Sequence, residues 1–141
     1  MTVLAAASPI TEAVYAVLQD ATLQVAVTGR IFDDTPEDTP RPYVWIEVFD
    51  ETDTRGLGTG DQPEVDLRVH VFSDQHSIAE GNEIARQVKA LLKDADLTIP
   101  GYQQCGKAVY DRTVPLPNQE LDGVKVHEVV AMFTVTCEQV A

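Results

Sequence analysis

The chain has 141 residues, 44% of them hydrophobic, and carries 23 acidic against 10 basic side chains for a formal net charge of −13. That length fits one domain, residues 1–141, burying roughly two-thirds of its unfolded surface around one core. The charge argues against unaided binding to nucleic acid or anionic lipid through phosphate neutralisation, and no apolar run approaches the roughly 20 residues of a membrane span.

The acidity is lopsided. From Asp33 to Asp66 there are eleven Asp or Glu and two Arg, so this quarter of the chain supplies −9 of the −13. Such a run reads as solvated loops, or as a surface that repels phosphate. Met1 to Ala7 is small and apolar with no basic residue before it, which is not the form of a signal peptide. Two cysteines, Cys105 and Cys137, do not suggest a disulfide framework without a secretory signal. They sit almost symmetrically about residue 121, so an unbulged hairpin turning there sets them opposite each other; whether they pair stays open.

In chain order, Ser8-Pro9 opens a first helix, with serine as cap and proline at the first helical position. Its buried stripe is Ile10, Val14, Val17, Leu18 and Ala21. Thr22 is placed to cap a short helical turn through Leu23 and Val25, and Gly29 to end it in a left-handed conformation. Arg30-Ile31-Phe32 reads as a short extended piece. Asp33 to Thr39 is a loop, closed by Pro40 and Pro42, which force extended geometry on their predecessors.

Tyr43 to Phe49 is a strand rich in β-branched and aromatic residues. Val44, Ile46 and Val48 share one face; Tyr43, Trp45 and Phe49 share the other. Helices in a two-layer fold cover only one of these faces, so the other needs a second subunit or a loop of the same chain. Asp50 to Pro63 is then a long connector containing Gly56, Gly58 and Gly60.

Glu64 to Val71 alternates apolar and polar residues without a fault, the period of a half-buried strand. Ser77 stands three residues before Glu80, the spacing of a capping box. Ile78, Ile84, Ala85, Val88, Leu91 and Leu92 follow at helical spacing. This strand and helix are the pair around which the rest is organised. Asp94 to Gln104 is a return segment with a Pro100-Gly101 turn, Lys107 to Pro115 a third long strand, and Pro115 to Gly123 a connector. Val124 to Val140 is the final strand, burying Val129, Ala131, Phe133 and Val135, while Val130 and Met132 point to a second covered face. The order predicts an α+β two-layer sandwich: a mostly antiparallel sheet of four or five strands with two main helices on one face.

No local motif carries chemistry. Gly56-x-Gly58-x-Gly60 runs into Pro63 and a strand instead of a helix N-terminus, so it is a poor phosphate cradle. His70, His76 and His127 have no metal-ligand spacing, and His70 and His127 read as surface or interface residues. Asp50, Glu51, Asp53 and Asp61 fail the calcium-loop pattern, since Arg55 stands where the sharp turn needs glycine. No nucleophile elbow is present. The residues imply neither an enzyme nor a cofactor or metal site.

The whole pattern resembles the small tail-completion or tail-terminator proteins of long-tailed bacteriophages. The resemblance rests on the helix around Ile10 to Leu18 and on Gly29-Arg30-Ile31-Phe32 leading into the acidic, proline-containing loop. It continues through Pro42-Tyr43-Val44, the alternating strand into Val71-Phe72-Ser73, the helix from Ser77, and Asp122-Gly123 before the last strand. It implies a structural virion protein at the head-proximal end of the tail, assembled in the host cytoplasm. Such a protein forms a ring, usually of six copies, that caps the tail tube and offers the surface for head-tail joining. Its partners would be further copies of itself, the tail tube protein and a head-completion or connector protein, with no membrane. Six copies would carry about −78, letting DNA pass without sticking.

On that reading Tyr43, Trp45 and Phe49 are candidate subunit contacts. Asp33, Asp34, Glu37, Asp38, Asp50, Glu51, Asp53 and Asp61 are candidate lumen or tube-facing acidic residues. The glycines at 56 to 60 make their loop flexible, a segment that would order on binding the tail tube. Three other readings stay beside this one: a connector protein of the neck, a module binding a small ligand or divalent cation through the acidic loop, and a hydrolase, for which no nucleophile with its base is found.

Overall fold

The computed structural model describes residues 7–34, 36, 38–53, 63–74, 77–104, 106–121 and 123–139. In chain order these form α1 (Ala7–Val17), α2 (Ala21–Val27), β1 (Ile31–Phe32), β2 (Tyr43–Asp53), β3 (Pro63–Ser73), α3 (Ala79–Leu92), β4 (Tyr102–Gln104), β5 (Val109–Pro115), β6 (Gln119–Leu121) and β7 (Val124–Gln139).

The architecture follows from β7, which at 16 residues is longer than any strand beside it. One of its edges pairs antiparallel with β3, from Glu64 opposite Thr136 to Ser73 opposite His127. No single strand spans the other edge. It is filled in succession by β6 against Val124–Val126, β5 against Val129–Thr134 and β4 against Cys137–Gln139. On the far side of β3 lies β2, antiparallel, and β1 joins β2 in parallel. Among the described residues the sheet has seven strands, more than the expected four or five. It is mostly antiparallel as expected, with β1–β2 the parallel ladder, and α2, the short helical turn expected through Leu23 and Val25, stands beside the two main helices α1 and α3. The α+β class is as expected.

Side-chain alternation decides which face the helices cover. Val44 and Ile46 of β2, Val65, Leu67, Val69 and Val71 of β3, and Val129, Ala131, Phe133 and Val135 of β7 form one cluster with Ile10 and Val14 of α1, Leu23 and Val27 of α2, and Ile84, Val88 and Leu92 of α3. Each fully buried side chain of this size contributes about 1.5–3 kcal/mol. The four inward positions expected on β7 are all buried, as are Val126, His127, Val130 and Cys137 of the same strand.

The helix ends correct three local expectations. α1 begins at Ala7, so Ser8 lies inside the first turn and not at its cap. Ala21 is exposed and starts α2 instead of finishing the α1 stripe. The α2 cap is Asp20, not Thr22: its carboxylate accepts from the amides of Thr22 at 3.0 Å and Leu23 at 3.3 Å. Val25 is 81% exposed, because a seven-residue helix turns only Leu23 and Val27 inward. The C-terminus does end left-handed, at Thr28 and at Gly29 with φ +72°. Asp20→Ala is expected to lower the unfolding free energy by about 1 kcal/mol, read from urea denaturation.

At α3 the capping box does not form. Ser77 accepts from the Ala79 amide at 3.2 Å, while Glu80 accepts from the Ser73 hydroxyl at 2.5 Å. The helix starts one residue later than the box requires, which frees Glu80 to fasten α3 to the end of β3. The expected stripe is otherwise present, with Ile84, Ala85, Val88 and Leu92 buried and Ile78 and Leu91 packed against the core. No helix among the described residues is long and apolar enough to cross a membrane.

Candidate functional site

The sheet face away from the helices carries the side chains that the core does not use. β2 presents Tyr43, Trp45 and Glu47 there, β3 presents Asp66, Arg68, His70 and Phe72, and β7 presents Glu128, Val130, Met132 and Thr134. Register sets these into contact. Trp45 lies opposite His70 and Tyr43 opposite Phe72, and their rings stack at centroid distances of 4.5 Å and 4.8 Å. Phe32 of β1 meets the Tyr43 ring edge-on at 6.0 Å, and His70 and Phe72 are near-parallel at 6.2 Å. The result is an unbroken run of rings across three strands. Offset and edge-on pairs of this kind contribute about 0.5–1.5 kcal/mol beyond their burial.

His70 is the centre of the face. Its Nδ1 lies 2.6 Å from Glu128 Oε2 and its Nε2 lies 2.8 Å from Glu47 Oε1. Neither glutamate is its direct cross-strand partner. His70 pairs with Trp45 and Val130, and the glutamates reach it diagonally from two residues further along each flanking strand. Carboxylates only accept, so the arrangement is satisfied in full by an imidazolium that donates from both nitrogens. Burial pushes the His70 pKa down, but hydrogen bonds and charge from Glu128 and Glu47 outweigh it and leave the value raised above 6.5. The folded state thus holds this proton more tightly than the unfolded chain. The stabilisation is fully present below about pH 6.5 and is lost as pH rises through the raised folded value. Burial, opposed by the Arg41 charge and aided by that of Glu128, also raises the Tyr43 phenol above its ordinary 10.0.

His70 at 8% and His127 at 7% exposure are buried within the protomer; of the surface or interface positions expected for them, this corrects the surface one. His127 sits opposite Ser73 on the helix-facing side. His70 is on the outer face as its alternation implied, but its neighbours enclose it.

The candidate contact residues do share this face. Tyr43 and Trp45 are half-buried. Phe49 is 55% exposed and lies in a bulge where the β2 register shifts between Val48 and Asp50. The Arg68 guanidinium covers its ring at 3.4 Å, beside a depression of about 200 Å³ lined by Asp66, Asp111, Met132 and Thr134.

The acidic candidates are not brought to one place. Asp50, Glu51 and Asp53 belong to β2, paired with Asp66, Val65 and Pro63. The expected loop therefore begins after Asp53, because β3 offers ladder partners that far. Asp33, Asp34 and Asp38 lie in the segment between β1 and the start of β2 and are exposed. Glu37 and Asp61 fall outside the described residues, as do the glycines at 56 to 60, His76 and Cys105. Cys137 is buried opposite Gln104, next in sequence to Cys105, so the pairing question also falls outside. Sequence reasoning missed Glu47, Glu128, Phe72, Phe32 and Arg68. The alternation of β3 placed Arg68, His70 and Phe72 on one face, but only the register with β2 and β7 supplies their partners. Among the described residues no three His, Cys, Asp or Glu side chains are grouped to hold a metal.

Fold and face together define a small α+β protein whose polar and aromatic groups gather on an open sheet. The chain belongs to the family described as Tail completion protein gp17, whose model matches residues 12–133, in agreement with the resemblance carried by its motifs. It is accordingly a phage structural protein. Among solved structures it is similar to a chain of the virion of a native gene transfer agent particle, with a TM-score of 0.80, 23% identity, and coverage of 95% of this chain and 98% of that one. No curated protein matches.

Proposed function

We propose that this protein is a tail terminator or completion subunit. Copies assemble into a ring, hexameric by family analogy, that caps the tail tube and offers the surface on which the head-joining protein docks. The observation that carries this reading is the aromatic run on a sheet face that the three helices leave uncovered. Tyr43 and Trp45 are half-buried within one protomer, and apolar rings in that state are suited to burial by a second copy. The chain acts as one domain over residues 1–141, without catalysis or cofactor. The net charge of −13 supports a role in which DNA passes the ring unbound.

Two measurements test this. Sedimentation velocity with electron microscopy of the full chain, alone and with tail tubes, is expected to show an annular assembly. A chain that stays monomeric under both conditions would sink the reading. Particles lacking the protein are expected to have abnormally long tails; full-length tails detached from filled heads would instead make it a joining protein of the neck.

A further inference from the structure

We propose that His70, held between Glu47 and Glu128, is a proton-operated clamp on the open sheet face, closed when both ring nitrogens carry a proton, so that rising pH loosens the face and weakens contact between copies. The second half rests on the assembly reading above; the clamp itself rests on the geometry of one protomer.

Both ring nitrogens are engaged at 2.6 Å and 2.8 Å by carboxylates from different strands, so one imidazolium fastens β2, β3 and β7 together on the side where no helix supports them. Among the described residues, the charged and titratable groups that face it come from three strands. β2 contributes Glu47 and, one ring further along, the Tyr43 phenol, near which Arg41 adds a positive charge. β7 contributes Glu128. β3 itself contributes Arg68, whose guanidinium lies over Phe49. The helices pack on the opposite face.

Losing the proton removes one of two donors. One carboxylate then faces a nitrogen lone pair, and the two negative charges on either side of the neutral ring repel with no positive charge between them. The stack of Trp45 on the ring also loses its cationic partner. Trp45 and Glu47 both lie on β2, within the surface assigned to the neighbouring copy, so the loss acts where the copies would meet.

The test uses the full chain with wild-type, His70→Gln and His127→Gln variants between about pH 5 and about pH 9. Imidazole nitrogen shifts are read by NMR, self-association by sedimentation and stability by urea unfolding. In the wild type both His70 nitrogens are expected to be protonated at pH 6.5, and self-association to weaken about tenfold once the ring titrates. His70→Gln loses that pH dependence and His127→Gln keeps it. A neutral His70 ring at pH 6.5, or His70→Gln behaving as the wild type across the range, overturns the clamp. A chain that is monomeric at every pH removes the assembly reading instead; the clamp is then decided by the nitrogen shifts and by an unfolding free energy that falls with rising pH in wild type and not in His70→Gln.

Discussion

Replacing Phe133 with alanine is expected to lower the unfolding free energy by about 3–5 kcal/mol, the largest effect of any single truncation in this chain. Phe133 is the bulkiest of the fully buried side chains. It stands on β7 between Leu67 of β3 and Tyr110 of β5, its ring meeting Tyr110 edge-on at 5.6 Å. The Lys89 ammonium of α3 lies over the Tyr110 ring at 4.3 Å. Two ladders and a helix therefore converge on one ring. Backbone pairing on both sides of β7 prevents the strands from collapsing into the vacated volume, which puts the cost near the upper end of the range. Phe49→Ala is the control: its ring is 55% exposed and its main contact is Arg68, so about 1 kcal/mol or less is expected. Urea unfolding of both variants decides the matter. Equal losses would mean that the core is not centred where the burial pattern puts it.

The long elements were legible because their side chains repeat with the period of the backbone. Val65, Leu67, Val69 and Val71 alternate into the core, and Ile84, Val88 and Leu92 recur on one side of α3; both patterns are stretches that tertiary context had no reason to override. Of the short strands, β1 was legible as the extended piece Arg30-Ile31-Phe32, but β4 and β6 were not. β4 and β6 have three residues each, too few to show a period, and they pair because the unusually long β7 offers backbone groups that β5 does not reach. Helix starts failed for a related reason. Asp20, Thr22, Ser77 and Glu80 all have capping chemistry, and which one is used depends on where the preceding segment leaves the chain. Glu80 was drawn instead to Ser73, a partner seven residues earlier.

The candidate site was half legible for a different reason. Two apolar faces on Tyr43 to Phe49 mark a strand that needs cover on both sides, and its outer side is uncovered by the helices. The clustering of charge could not be read in the same way. Glu47, His70 and Glu128 are separated by 23 and 58 positions, and they meet only because the ladders place Trp45 and Val130 opposite His70. A slip of one residue in either ladder would turn a glutamate toward the core. Conversely, Asp50, Glu51 and Asp53 look like loop residues by composition, yet the ladder with β3 continues through them because pairing depends on the backbone and tolerates acidic side chains at an edge.

Trp45→Ala is expected to weaken self-association by about 2 kcal/mol or more, close to thirtyfold, while leaving a folded protomer. Its ring is half-buried against His70 at 4.5 Å and offers its remaining surface outward at the β2 end of the aromatic run. Tryptophan in that position gains the most from exclusion of water by a partner, and truncation removes the largest apolar area on the face. The protomer itself loses one stack and part of a half-buried ring, so its unfolding free energy falls by less than in Phe133→Ala. Val25→Ala supplies the contrast. Val25 is 81% exposed on α2, on the helix side, with Ala21 and Thr22 also exposed. A lone surface apolar group of this kind changes association and stability by no more than about 0.5 kcal/mol. Sedimentation equilibrium of the three proteins at matched concentration separates the two surfaces. Association lost in Val25→Ala and kept in Trp45→Ala would move the contact between copies to the helical side and leave the sheet face for another component of the particle.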